Sequence, residues 1–356
     1  MKNLLIMKNK NLLFSAATTA IAIIISLAIA FIIILFVSDA PGDAVKALLL
    51  GPVSSFRNFG TVITLASTVT FTGLAVCIMF QASMFNMCAE GSFFLGALIA
   101  AAAATSFQLP AGIGLIVPLL CGALTGAILC FIPAILKARV NANEMVSSLM
   151  LNYIALFIGL YLMNTYFRDD TFGALASHKL PAASVLIKCV PGTSIHIGVF
   201  LAIILIIVSY LFIYKTKAGY RIRVMGQNAD YAKYAGLSVG GAIILSQALG
   251  GAIAGLGGAV EVMGMYARFQ WTSLPGYGWD GVIIAILARN KPQYVPLAAL
   301  FLAYLRVGAN VMARGTDVPS EIITVIQAIM IMLVTATALL SRLKQKTVVK
   351  EALANG

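Results

Sequence analysis

Long runs of apolar residues, separated by short polar or basic intervals, occupy almost the whole chain. Most of these runs reach the ~20 residues that an α-helix needs to cross the hydrocarbon core of a bilayer. They are too continuous for the alternating polar and apolar positions of an outer-membrane barrel. The pattern therefore predicts an all-α polytopic membrane protein with about ten transmembrane helices. The predicted spans are residues 14–37, 59–80, 90–108, 111–136, 145–163, 196–214, 240–264, 277–288, 293–312 and 320–341.

One of these spans, residues 277–288, is unusually short. A helix from Gly276 to Ala288 would rise only ~20 Å, which is less than the ~30 Å of a hydrocarbon core. Irregular backbone at that depth needs protein or a water-filled cavity around it. The sequence leaves open a half-helix, a re-entrant piece, or a helix continued through Trp279 and Tyr277.

Ten spans divide into five and five, which gives halves of approximately 1–195 and 196–356 within a single transmembrane domain, residues 1–356. An odd number of spans in each half inverts the second half relative to the first, as in the inverted repeats of many transporters. A short internal echo supports the division. FNMCAEGSFFLGALIA (residues 85–100) and PGYGWDGVIIAILA (residues 275–288) each place an acid and a glycine before an apolar run.

Composition and charge agree with this class and set the orientation. Hydrophobic residues make up 61% of the chain and charged residues 10%, whereas soluble domains carry about 25% charged residues. If Met1 is cytoplasmic, most of the 24 basic residues fall in the inside segments, as the positive-inside rule requires. Both termini are then cytoplasmic, and the net charge of +12 describes orientation and not a nucleic-acid partner. Residues 1–37 are interpreted as the first helix, because the apolar run is too long for a signal peptide.

Polar residues within or beside the predicted spans are candidates for a translocation pathway. A charge at the centre of a bilayer costs on the order of 2.5–3.5 kcal/mol, so such residues should face a bundle interior or a cavity. The alternative is that Glu90 and Asp280 only cap helices, where the dipole favours an acid. The candidate pathway residues are Asn86, Glu90, Gly91, Glu261, Asp280 and Gly281.

Glycine is concentrated in residues 250–264. Gly251 with Gly255, and Ala254 with Gly258, place small residues one turn apart, which lets helices approach closely. The simpler interpretation is tight helix packing. The more specific interpretation is a contact between helices that slides during gating.

No signal for enzymatic chemistry or for a metal site is present in the sequence. The chain has two histidines, His178 and His196, and its five cysteines show no metal-ligand spacing. A zinc-protease motif, a nucleophile elbow and a phosphate-binding P-loop are all absent. We therefore predict a chain that is not an enzyme and holds no cofactor, so that driven transport must draw on an ion gradient or on a separate ATPase.

Residues 215–239 form a long polar and basic interval in the second half. Residues 226–228 are interpreted as a turn with Asn228 as the N-cap of a helix over residues 229–235, and Gly236 as its C-terminal cap. An aromatic-bearing helix of this kind suits a groove on a partner protein. The alternatives are a solvated loop that only sets topology, or an interfacial helix on anionic lipid.

Five stretches of the chain resemble the permease subunits of bacterial ABC importers. The resemblance is to the branch that contains ribose-type sugar permeases and branched-chain amino-acid permeases, and most closely to its nucleoside permease group. The stretches are FNMCAEGSFFLGA (85–97), NANEMVSSLMLNY (141–153), KAGYRIRVMGQNADYAKYAGLSV (217–239), GGAIAGLGGAVEVMG (250–264) and GYGWDGVIIAILAR (276–289).

The resemblance implies a multi-pass protein of the bacterial plasma membrane that takes up nucleosides. It implies an ABC ATPase subunit that binds the ATP and Mg, a second permease subunit, an external binding lipoprotein, and surrounding membrane lipid. A sugar such as ribose or galactose is the alternative cargo, and an ion-coupled secondary transporter the alternative class. In the family, a cytoplasmic loop enters a cleft on the ATPase; the corresponding residues here are Gly219, Arg221, Gly226, Gln227, Asn228, Ala229, Tyr231, Tyr234 and Gly236.

Overall fold

The computed structural model describes residues 38–107, 110 and 112–318, together with residues 25, 28–29, 31–36, 324–325 and 328–329. This part of the chain forms helices and loops, with two isolated β-bridges in one loop. The helices are α1 Pro41–Leu50, α2 Phe56–Gln81, α3 Ala89–Ser106, α4 Ile113–Val140, α5 Glu144–Leu162, α6 Gly198–Lys215, α7 Lys217–Gln227, α8 Ala229–Tyr234, α9 Val239–Glu261, α10 Tyr277–Leu287 and α11 Val295–Gly315.

Seven of the helices in the described ranges are long and apolar enough to cross a membrane. They are α2 to α6, α9 and α11, and each coincides with a predicted span. The predicted spans 14–37 and 320–341 lie largely outside the described residues. The short span is confirmed as short, since α10 has 11 residues and rises about 16 Å. It includes Tyr277 and Trp279, but this extension does not make it long enough to cross the bilayer.

The chain divides into two compact units, residues 55–304 and residues 1–54 with 305–356. In the second unit, α1 begins with Pro41 at its first position and Asp43 in its first turn, both of which favour a helix start. Ser38 Oγ donates a 2.7 Å hydrogen bond to the Asp317 carboxylate, which also accepts the amide of Asp39 at 2.8 Å. This α1 segment was not predicted from the sequence.

The centre of the larger unit is a seam of glycines between α4 and α9. A Cβ atom added at Gly126 would overlap the carbonyl oxygen of Gly251, and one added at Gly255 would overlap that of Gly122. The two backbones are therefore in direct contact, which side chains larger than hydrogen would prevent. Further along α9, Gly258 packs on the backbone of α3. The predicted tight packing of the 250–264 segment is confirmed.

One end of the larger unit is covered by a long loop, residues 168–197. Its backbone is tied to the segment after α9, because the amide of Ser177 donates to Phe269 O at 2.8 Å and that of Leu180 to Ala267 O at 2.9 Å. The amide of Leu186 donates to Met263 O at 2.9 Å. The loop is thus a folded cover over the end of α9 and not a free connection.

Asp169 organises the start of the long loop. Its carboxylate accepts the Thr171 hydroxyl at 2.6 Å and lies 3.9 Å from the Arg268 guanidinium. That guanidinium stacks over the Phe172 ring, 4.3 Å from its centroid. The Thr171 hydroxyl bond is the main reason that the pKa of Asp169 lies below its ordinary value.

Candidate functional site

The two acid–glycine segments that the sequence analysis paired are in contact, and Glu90 joins them. One carboxylate oxygen of Glu90 accepts the amide of Gly276 at 2.6 Å, and the other accepts the amide of Gly278. Glu90 lies in the first turn of α3, whereas both amides belong to the start of α10. The side chain is 1% exposed. Glu90 therefore caps a helix of the other half of the chain and locks the beginnings of α3 and α10 together.

Glu261, at the end of α9, is the second buried acid of this region. Its carboxylate accepts the hydroxyl of Thr68 on α2 and bonds the hydroxyl of Tyr277 at the start of α10. A buried carboxyl group held by two hydroxyls meets the requirement that buried polar groups find partners. Glu261 thus ties α2, α9 and α10 together at the level where α10 begins.

The remaining candidate pathway residues surround these two acids. The amide of Gly91 donates to Asn152 Oδ1 at 2.9 Å, and a Cβ added at Gly281 would lie 2.7 Å from the backbone of Thr72. Asp280 is 2% exposed. Asn86 accepts the amide of Cys88 at 2.8 Å, and among the described residues its side-chain nitrogen has no hydrogen-bond partner.

Asn152 on α5 is a residue of this network that the sequence analysis did not select. Its amide group donates to Met87 O at 2.9 Å while its oxygen accepts Gly91 N. It therefore fixes the irregular segment that precedes α3. A polar side chain inside a predicted span was the signal that could have identified it, as it identified Glu90.

A cluster of aromatic rings lies beside the two acids and was also missed. Trp271 is at its centre, with ring centroids 5.6 Å from Phe93, 5.5 Å from Phe269 and 5.8 Å from Tyr266. The Tyr277 ring is 5.1 Å from Phe93. Trp271, Tyr266 and Tyr277 are partly exposed, whereas Phe93 and Phe269 are buried. The cluster therefore presents three partly exposed rings with polar edges, and one of them, Tyr277, bonds the Glu261 carboxylate.

At the end opposite the long loop, α8 matches its sequence prediction. The side chain of Asn228 caps the helix by accepting the amide of Tyr231 at 2.9 Å. Gly236 has a φ of +75° and terminates the helix, with the amide of Leu237 bonded to Ala232 O. Tyr234 is 92% exposed and Tyr231, on the same helix, is 61% exposed.

The segment before α8 corrects the sequence analysis. Residues 226–227 were interpreted as part of a turn, but α7 continues through Gln227. Thr216 caps α7 by accepting the amide of Gly219 at 3.0 Å. Only Asn228, with φ −157° and ψ 108°, separates α7 from α8. The helix was missed because basic residues obscure its periodicity, although Ile222 and Met225 are buried.

Gly226 brings α7 against the end of α2. A Cβ atom at Gly226 would overlap the carbonyl oxygen of Gln81, and Ser83 Oγ donates a 2.5 Å hydrogen bond to Gly226 O. The Gln81 side chain in turn donates to the carbonyl of Asn290, just after α10. The α7–α8 pair is therefore in contact with α2, and α2 with the segment that follows α10.

Comparison with known proteins places the chain in a family. The family described as "Branched-chain amino acid transport system / permease component" matches residues 58–335. The guanosine ABC transporter permease protein NupP of Bacillus subtilis is 32% identical over 89% of this chain and 92% of its own length. No solved structure matches the chain.

Two further relatives cover similar shares of the chain. The glucose ABC transporter permease protein TsgB13 of Haloferax volcanii is 31% identical over 88% of this chain and 86% of its own length. The nucleoside ABC transporter permease protein NupB of Lactococcus lactis is 29% identical over 87% of this chain and 88% of its own length. Since both the family match and the relatives extend over most of the sequence, the chain belongs to the branched-chain amino acid transport system permease family and is an integral membrane subunit of an ABC transporter.

Proposed function

We propose that this chain is the permease subunit of an ATP-driven importer of nucleosides, and that α8 is the element through which a separate ATPase drives it. The observation that carries this proposal is the exposed tyrosine pair of α8, Tyr231 and Tyr234, on a helix whose neighbour α7 is packed on α2. Aromatic side chains of this kind anchor protein interfaces when they enter a pocket on the partner.

The contacts of α2 provide a continuous route from α8 to the buried acids. Movement of α8 reaches α2 where Gly226 touches Gln81. Along α2, Thr68 holds the Glu261 carboxylate, and the backbone of Thr72 packs on Gly281 of α10. A chain of packed backbones of this kind carries rigid-body displacement across a membrane domain. ATP and Mg bind the ATPase, so this chain needs neither.

The contact between Glu90 and the start of α10 supports the inverted repeat of five plus five spans. In transporters built this way, broken helices of the two halves begin near the midplane and their N-termini face the cargo site. Here the echoed segments of the halves meet through one carboxylate. With the basic residues of α7 on the inside, both termini of a ten-span chain are cytoplasmic.

The cargo is assigned from two relatives and from the aromatic cluster. The printed names of two relatives include guanosine and nucleoside. Partly exposed Trp271, Tyr266 and Tyr277 offer faces on which a nucleobase stacks, and such stacking is worth ~1–3 kcal/mol per base. Glucose is the second candidate, because one relative of similar identity is named for it; sugars also stack their apolar faces on aromatic rings.

The proposed assembly contains four kinds of component in a bacterial plasma membrane. They are this permease, a second permease copy or homologue, an ABC ATPase, and an external binding lipoprotein that meets the long loop.

Reconstitution of the purified permease with and without the other components tests the assignment. Guanosine uptake that requires ATP, the ATPase and the binding protein supports it, and uptake by the permease alone makes it a secondary transporter.

Competition identifies the cargo in the same vesicles. Uptake of labelled guanosine should be reduced by excess adenosine and unaffected by excess ribose or glucose. If glucose inhibits guanosine uptake as strongly as the same concentration of adenosine does, the chain is assigned to sugar import.

A further inference from the structure

A basic cavity lies at the junction between α6 and α7, and of the residues assigned to ATPase coupling only Arg221 lines it. Its volume is about 430 Å³, and it is open to its surroundings over much of its boundary. Four cationic side chains and two tyrosines line it, and no acid does. The lining residues are Tyr214, Lys215, Thr216, Lys217, Tyr220, Arg221, Arg223 and Leu237.

Within the described residues, the cations of this cavity have no acidic partner, since none of the four lies within salt-bridge distance of a carboxylate there. Arg223 donates its Nε–H to Ile213 O at 3.1 Å and lies 5.2 Å from the centroid of the Tyr214 ring. Its guanidinium is thereby held in place while the other lining cations, Lys215, Lys217 and Arg221, remain exposed. Four positive charges around one cavity repel each other, and an anion bound among them would offset that repulsion.

The cavity continues the exposed apolar surface of α6. Only 22% of the apolar window of α6 is buried, against 89% for α2, so α6 is a peripheral helix. Ile204, Val208 and Leu211 are all exposed at helical spacing, and Lys215 is the next residue of the same stripe. An acyl chain that lies along this stripe therefore brings its headgroup to the cavity.

From this geometry, we propose that the α6–α7 cavity binds the phosphodiester headgroup of an anionic phospholipid whose acyl chain packs along α6. A soluble phosphate offers the same charge, but it would leave the adjoining apolar stripe unused. Basic cavities at the cytoplasmic ends of transmembrane helices recognise anionic headgroups in this way. Because α8 follows α7 after a single residue, lipid bound here would hold the base of the α7–α8 pair at the membrane surface.

Native mass spectrometry of the full-length permease in mild non-ionic detergent tests this site. Dioleoylphosphatidylglycerol should remain bound, and dioleoylphosphatidylcholine should not. The double variant Lys215→Gln/Lys217→Gln should raise the Kd for phosphatidylglycerol about 25-fold, since each basic residue near anionic lipid contributes roughly fivefold. The matched control, Arg139→Gln/Lys233→Gln, removes the same charge from exposed positions outside the cavity and should leave the Kd unchanged.

Three results would overturn the proposal. Equal losses in the two double variants would mean that diffuse surface charge binds the lipid. Displacement of the lipid by millimolar inorganic phosphate would make the ligand a soluble anion. Unchanged lipid binding in Lys215→Gln/Lys217→Gln, together with lost association of the ATPase, would assign the cavity to the protein partner. Thermal unfolding of each variant confirms that it is folded before its Kd is interpreted.

Discussion

Ser83 Oγ donates a 2.5 Å hydrogen bond to the carbonyl of Gly226, and this bond joins the end of α2 to the helix that precedes α8. The two residues are 143 positions apart in sequence. Gly226 is also where the backbones are so close that a Cβ atom would overlap Gln81 O. The junction thus connects the exposed α8 to the helix that holds Glu261 and contacts α10.

Replacement of Gly226 should disrupt this junction without unfolding the spans. In Gly226→Ala the added methyl group pushes α7 away from α2, so ATP-dependent uptake should fall more than tenfold while ATP hydrolysis continues. Ser83→Ala removes only the hydrogen bond and should cost less. Transport assays on proteoliposomes measure both. The control is Gly42→Ala, whose Cβ would meet nothing within 4 Å. If Gly226→Ala supports the same uptake as this control, the contact between α7 and α2 does not transmit the action of the ATPase.

Glu90→Gln should destabilise the contact between α3 and α10. A carboxylate accepts from both amides, Gly276 N and Gly278 N, whereas an amide side chain places an NH₂ group against one of them. An unsatisfied buried donor costs about 1–3 kcal/mol. A lowered midpoint of thermal unfolding and reduced uptake are therefore expected. If Glu90→Gln unfolds at the wild-type temperature, the carboxylate does not cap α10.

A single methyl group added in the contact between α4 and α9 should lower the stability of the protein. In Gly251→Ala the new Cβ overlaps Gly126 O and the side chain of Cys130, and such overpacking costs about 1–3 kcal/mol. Thermal unfolding in detergent should show the loss. Gly240→Ala is the control on the same helix, because its Cβ meets only Ala138 Cβ at 3.6 Å. Equal stability of the two variants would mean that α4 and α9 are not in backbone contact.

How much of this was predictable differs between local and long-range features. The caps of α8 were predictable because Asn228 and Gly236 act on their nearest neighbours. The extent of α7 was not, since Gly226 was taken for a turn residue, when a close approach to Gln81 is what requires glycine there. The contact between Glu90 and Gly276 bridges 186 residues, and only the echo between the two segments hinted at it. The aromatic partners of Trp271 depend on tertiary packing and left no periodic signal.

The stability of the long-loop end should depend on pH through His196. This side chain is buried beside Gly198, whose amide donates to Nδ1 at 3.1 Å. Burial lowers the pKa of His196 to about 4 from 6.5, with a smaller contribution from Lys188. The unfolded chain therefore binds the proton first as the pH falls. Stability is complete above pH ~6.5 and is lost toward pH ~4, by about 2 kcal/mol at pH ~5.

Thermal unfolding between pH 7.5 and 5 measures this loss. His196→Gln should flatten the part of the pH dependence that His196 contributes, whereas His178→Gln, at an exposed position, should keep it. An identical pH dependence in wild type and His196→Gln would show that His196 is not buried as a neutral group.

The most direct test of the account is photo-crosslinking from position 234 in the assembled transporter. A benzophenone amino acid replaces Tyr234, which is 92% exposed on α8. As the control it replaces Tyr166, which is 65% exposed in the helical turn Met163–Phe167 between α5 and the long loop. The account predicts that position 234 crosslinks to the ATPase subunit and that position 166 does not. Crosslinking of position 234 to the external binding lipoprotein would contradict both the orientation and the coupling role of α8.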